Sequence, residues 1–251
     1  MIAFPNAKLN IGLNVLRRRE DGYHDISTVF VPYKGMSDVL EVVFADEPGF
    51  FEYGRPCGCA PEKNLCYKAY LLMKERYGID PVKIYLYKKI PTGSGLGGGS
   101  ADAAFTLRLI NDLYELGLSD ECLAADAATL GSDCAFFIYN RPMAATGRGE
   151  ILKECPLSLE GYRVEVVIPP VHVSTAEAYG AVKPAVPEMS VEEIVARPVE
   201  EWRGLLVNDF ECSILPAHPE IAAAKQAFYD RGAVYASMSG SGSSVFGIFR
   251  E

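Results

Sequence analysis

Five of the seven residues from Gly93 to Gly99 are glycine, and that run constrains the chain more than any other stretch. Residues 82–89 ahead of it predict a β-strand; residues 101–116 behind it predict a helix. Without a Cβ the backbone takes positive φ and comes close to a ligand. A helix N-terminus adds free N–H groups and the positive end of the helix dipole. A glycine run at that junction predicts a cradle for an anion, a phosphate first. A loop with no ligand explains it less well, because each glycine costs folding entropy.

The glycines alone do not choose the ligand. Gly93, Gly95 and Gly98 match the dinucleotide fingerprint, which requires a second strand ending in an acidic residue about 20 residues on. Residues 118–130 read instead as a second helix, which disfavours a dinucleotide-binding oxidoreductase. No Gly-Lys-Ser/Thr closes the run, so the P-loop pattern fails as well.

A chain of 251 residues holds one large domain or two smaller ones. Its formal net charge of −9 argues against a nucleic-acid partner. The acidity is uneven. Residues 186–220 hold eight acidic and two basic side chains, whereas residues 1–34 hold five basic and three acidic. A small anionic ligand suits such local positive regions. No apolar run reaches membrane-spanning length and no signal pattern opens the chain, so a cytoplasmic protein with no membrane partner is expected. Seven scattered cysteines fit reduced thiols. Cys57, Cys59 and Cys66 have no usual zinc spacing and no nearby histidine.

Residues 7–15 alternate cleanly, which places Lys8 and Asn10 on one face of a strand, roughly 6–7 Å apart. A solvated face explains this pattern as well as a site does. Tyr23 and His24 follow the charged turn at residues 17–22, at the mouth of a strand over residues 26–32. Asp133 stands between a helix and the apolar run 134–139, which reads as a strand; a capping role there is the commoner one. Ser174 or Thr175 caps a short helix through Tyr179. Ser239 to Ser244 form a second small-residue loop.

Read together, Ala7-Lys8-Leu9-Asn10, residues 91–104 and residues 237–245 resemble the three signature motifs of the galactokinase, homoserine kinase, mevalonate kinase and phosphomevalonate kinase superfamily. Ala7-Lys8-Leu9-Asn10, Gly22-Tyr23-His24, residues 95–104 and Leu130-Gly131-Ser132-Asp133 are similar to the members that phosphorylate a cytidine diphosphate conjugate of methylerythritol in non-mevalonate isoprenoid biosynthesis. The resemblance spans nearly the whole chain. It implies an α+β fold of two domains: a ribosomal-S5-like α/β domain over residues 1–157 and a ferredoxin-like α+β domain over residues 158–251, with the active site in the cleft. Asp133 would be the catalytic base and Lys8 its partner, since an adjacent cation favours a carboxylate that accepts the hydroxyl proton. Asn10, Tyr23, His24, Thr175 and Tyr179 would hold the substrate, Tyr179 by stacking on cytosine and His24 at the base edge. Lys88 would lie near the adenine of ATP. Pro91, Thr92, Gly93, Ser94, Gly95, Leu96, Gly97, Gly98, Gly99, Ser100 and Ala101 would wrap the triphosphate. Gly240 and Gly242 would shape the reaction centre.

The same resemblance implies magnesium beside ATP, but no residue is assigned as its ligand, because Ser100 and Asp102 can each merely cap the helix. The chain ends soon after the third motif, so a short C-terminal domain is expected. Mevalonate or homoserine kinase is the alternative within the superfamily, and neither needs a cytidine site. Monomer and homodimer both stay open.

Overall fold

The computed structural model describes residues 1–251. In chain order the elements are β1 (Ile2–Ala3), β2 (Asn6–Arg18), β3 (His24–Ser37), β4 (Val39–Phe44), β5 (Gly49–Gly54), α1 (Leu65–Tyr77), β6 (Val82–Lys88), α2 (Gly98–Leu113), α3 (Asp120–Leu130), α4 (Cys134–Tyr139), β7 (Met143–Thr146), β8 (Ile151–Glu154), β9 (Tyr162–Val167), α5 (Thr175–Ala181), α6 (Val191–Val195), α7 (Glu211–Ala217), α8 (Pro219–Asp230), β10 (Tyr235–Met238) and β11 (Val245–Arg250). The architecture is α+β. No helix is long and apolar enough to cross a membrane.

The chain forms two compact units, each gathered from three segments. The first comprises residues 1–8, 32–92 and 97–141. Its sheet has the order β1-β4-β6-β5, antiparallel except for the β5–β6 pair. Val82, Ile84, Leu86 and Lys88 are buried in alternation along β6, the period-2 signature of a strand that turns one face to a core. Local chemistry sets the helix ends: the Asn64 side chain accepts from the Cys66 N–H at 2.9 Å, and Gly78 closes α1 at φ 67°. In α2, Ala103, Leu107 and Ile110 are buried along with Ala104 and Leu109, so the helix that follows the glycine run is a rigid, enclosed element.

The second unit comprises residues 9–31, 93–96 and 142–251. The sheet β2-β3-β7-β8 lies largely within it, and the antiparallel sheet β10-β11-β9 wholly so. Leu13, Ile26, Phe210, Ile214, Phe228 and Val245 belong to its core. Trp202 is fully buried and donates its indole N–H to the Arg197 carbonyl at 3.1 Å, which removes the cost of hiding that donor.

One element differs in kind from its sequence reading. The apolar run 134–139 is the helix α4, not a strand. Cys134 to Ile138 are all buried, and a run enclosed on every side carries no periodicity from which to tell helix from strand. Asn140 at φ 47° ends it in the left-handed conformation that asparagine tolerates.

Candidate active site

In the first unit, β2 and the start of α4 bring two charges together across 125 residues of sequence. Lys8 Nζ lies 3.3 Å from Asp133 Oδ2. The lysine side chain is 4% exposed and the aspartate 29%, so the ammonium is enclosed while the carboxylate still faces outward. Asp133 takes the N-cap position of α4 but makes no capping hydrogen bond, which leaves its carboxylate available. The local cap reading of this residue is thereby overturned. The solvated-face reading of Lys8 and Asn10 fails too, since both are buried.

The second half of the glycine run belongs to the same unit. Gly97 sits at the N-cap of α2 with φ 71°, and a Cβ there would come within 3.0 Å of Lys8 Cγ and of the Phe137 ring. Glycine is needed at this position both for the turn and for the lysine to pass. Gly98 and Gly99 open the helix with no side chain over the N–H groups.

Lys88 is placed otherwise than expected. Its ammonium is shut away from solvent between Asp38 and Asp102, 2.6 Å from Asp102 Oδ2. Committed to two carboxylates, it is not free to meet an adenine. Asp102 does not cap α2 either, because it is 1% exposed and turned toward Lys88. Burial pushes its carboxyl up to about 8, against the pull of Lys88.

In the second unit the first half of the glycine run meets the third motif. The Ser244 N–H donates to the Ser94 carbonyl at 3.1 Å, and the Ser239 hydroxyl donates to the Gly95 carbonyl at 3.0 Å. Gly95 has φ 81°, and a Cβ on it would fall 2.0 Å from the Ser239 carbonyl oxygen. Ser239 also accepts from the Asn10 N–H at 3.2 Å, and Asn10 Nδ2 donates to the Thr28 hydroxyl at 3.1 Å. Gly240 packs beside the Asn10 side chain. Asn10 is therefore held in place by the third motif and by Thr28.

The same unit holds an aromatic recess. The His24 and Tyr179 rings stack at 4.8 Å with a 23° interplanar angle, and Phe210 braces Tyr179 edge-on. Arg18, His24, Tyr179, Gly180, Val182 and Pro184 line a cavity of about 390 Å³. Burial, then the charge of Arg18, lowers the His24 pKa, which favours a neutral ring able to donate from one nitrogen and accept at the other. Tyr23 is exposed, with the Arg148 guanidinium 5.1 Å above its ring. Thr175 is exposed on the first turn of α5, and Ser174 is the residue that caps that helix, at 3.1 Å from the Glu177 N–H.

Family models for the GHMP kinases N terminal domain and the GHMP kinases C terminal match residues 64–141 and 190–251. The chain belongs to the GHMP kinase family. Within it, a protein of Parabacteroides distasonis, 52% identical over all of this chain and 92% of its own length, and one of Bacteroides thetaiotaomicron, 50% identical over 99% of this chain and 92% of its own, are both 4-diphosphocytidyl-2-C-methyl-D-erythritol kinases. A crystal structure of 4-(cytidine 5'-diphospho)-2C-methyl-D-erythritol kinase superposes with a TM-score of 0.82 at 37% identity, over 98% of this chain and 89% of that one. A mevalonate kinase structure, TM-score 0.70 at 12% identity over 100% of this chain and 91% of its own, shares the fold.

Three residues of this GHMP kinase carry the geometry without having stood out in the sequence. Ser239 ties Asn10 to the glycine run and was hidden among like residues of its own motif. Phe137 lies against Gly97 from within the misread apolar run. Asp38 accepts from the Ile90 N–H at 2.9 Å and binds Lys88; nothing in sequence marks a lone aspartate 50 residues from its partner.

Proposed function

We propose that this kinase transfers the γ-phosphoryl group of ATP to the 2-hydroxyl of 4-diphosphocytidyl-2-C-methyl-D-erythritol. The observation that carries the chemistry is the Lys8–Asp133 contact, an enclosed ammonium beside an outward-facing carboxylate. Relatives of about half identity over the full chain support the substrate. The His24–Tyr179 recess supports a planar base as part of it, because stacking on an aromatic platform contributes about 1–3 kcal/mol per base.

In this reading Asp133 accepts the hydroxyl proton as the oxygen attacks the γ-phosphorus. The bond from that phosphorus to the bridging oxygen breaks, and ADP leaves with the electron pair. Lys8 holds Asp133 in position and steadies the reacting oxygen; Asn10, fixed through Ser239 and Thr28, orients the substrate. Backbone N–H groups from Gly93 to Ala101 receive the phosphates, so catalysis is mostly positioning and charge stabilisation. Tyr23, His24, Thr175 and Tyr179 hold the cytidylated part.

Magnesium accompanies ATP in such transfers, neutralising phosphate charge. The chain offers no group of three or more His, Cys, Asp or Glu side chains that could hold a metal, and Asp102 faces Lys88 instead. The residues do not form a protein cage for the ion. Seven unpaired cysteines support a reducing, cytoplasmic setting.

An ADP-release assay over 4-diphosphocytidyl-2-C-methyl-D-erythritol, mevalonate and homoserine tests the proposal. Turnover of the cytidylated substrate alone is expected. Turnover of mevalonate or homoserine in its place would overturn it.

A further inference from the structure

The Asp38–Lys88–Asp102 cluster lies at the foot of the helix that opens from the glycine run, and the chemistry above leaves it unused. Its parts come from three places in the first unit: Asp38 at the β3–β4 junction, Lys88 at the end of β6, and Asp102 in the first turns of α2. All three side chains are at most 2% exposed. Asp38 grips the strand end twice over, taking the Lys88 ammonium and the N–H groups of Lys89 and Ile90. The fit to α2 is tight. A Cβ on Gly98 would fall 2.8 Å from Ile90 Cγ2 and 3.1 Å from Lys88 Nζ. One atom of the cluster is unsatisfied: Asp102 Oδ1 is buried with no hydrogen-bond partner.

Two carboxylates share one ammonium here, so a fully ionised cluster carries an uncompensated negative charge. That charge would sit in the first turns of the helix whose N-terminus is read as the anion site, where it opposes the helix dipole's attraction for phosphate. A proton on Asp102 removes it, and the unpartnered Oδ1 is the oxygen free to carry it. We propose that Lys88 and Asp102 are positioning residues of the triphosphate cradle, pinning the start of α2 to the end of β6, and that a proton held on Asp102 keeps this helix end receptive to an anion. The proposal rests on the reading of the glycine run as the ATP site.

The surroundings favour the proton. Burial raises the Asp102 pKa to about 8, with Asp38 adding to the rise and Lys88 opposing it. Lys88 itself is held above its ordinary value, burial notwithstanding, by Asp102 and Asp38. The other titratable groups facing the cluster are thiols: Cys66 on α1, raised by burial and then by Asp102, and Cys57 after β5, pushed up to about 12 by burial and then by Glu52. Both are neutral across the neutral range and add no charge. Since ionisation of Asp102 opposes the anion, ATP affinity is full below its pKa and is lost as the pH rises through it.

Steady-state kinetics from pH 7 to pH 9 test this. If only the protonated form binds ATP, the wild-type KM for ATP rises about tenfold across that range, while the KM for the phosphoryl acceptor stays level. In Asp102→Asn, which cannot ionise, the ratio of the two ATP KM values falls below about twofold, whatever its absolute size. A purely structural cluster would lower stability without altering this pH profile. A level wild-type profile, or a variant that keeps the rise, overturns the proposal. Should Asp102→Asn fail to fold, calorimetry of the wild type with a non-hydrolysable ATP analogue in two buffers of different ionisation enthalpy serves instead. Proton uptake on binding near pH 8.5 supports the proposal, and its absence overturns it. Failure of the wild type to bind the nucleotide at any pH would overturn the ATP reading itself, a separate result.

Discussion

The first unit contains two lysine–aspartate contacts that share composition and little else. Lys8 and Asp133 are 3.3 Å apart with the carboxylate 29% exposed, and Lys88 meets Asp102 at 2.6 Å with both side chains 2% exposed. The first contact is looser and open on one side; the second is closer and closed on all. A group that must take a proton from a substrate needs access, and a group that must hold a helix needs enclosure. Under the proposed roles, residue type does not separate the two pairs and exposure of the acidic partner does.

Three substitutions break or sharpen that contrast. Asp133→Asn is expected to lower kcat by about a thousandfold or more, near the upper part of what general-base catalysis and charge placement supply. Nucleotide binding should survive, as should the melting temperature. Turnover within tenfold of wild type would remove the difference between the two pairs. Lys88→Met should do the opposite, costing about 3–5 kcal/mol of stability by stranding buried carboxylates. Lys8→Met, read in the same denaturant titration, should cost clearly less stability and far more turnover; equal stability losses would show that enclosure does not separate the roles. Tyr179→Ala lies outside both pairs and should act on binding alone. It should raise the KM for the cytidylated substrate roughly tenfold, about 1–3 kcal/mol of lost stacking, and hardly move that for ATP. Equal shifts in both constants would undo the stacking assignment.

The open pair was expected only through the family resemblance, and the closed one not at all. Local pattern left Lys8 on a face that solvent explains equally well and Asp133 in a capping role. Asp38 stood alone, and Lys88 was one of several lysines on its strand; only folding brings them and Asp102 together. The fold was read well wherever period or punctuation was strong. The strand β6 ahead of the glycine run, the helix α2 behind it and the second helix α3 stand where they were expected. It was misread at α4, where six apolar residues buried on all sides leave no period to read. Tyr179 could be placed on a helix behind a serine cap, but not against His24, because their 155-residue separation is closed by the core and not by any local pattern.

The contact at Gly95 has a practical consequence for anyone who recombines such enzymes. With the Ser239 carbonyl oxygen 2.0 Å from the place a Cβ would occupy, residues 93–96 and 239–244 are cut to each other's outline. A loop transplanted from a relative without its counterpart would meet a neighbour shaped for a different backbone. The two segments are one inheritable module, and chimaeras that move them should move both.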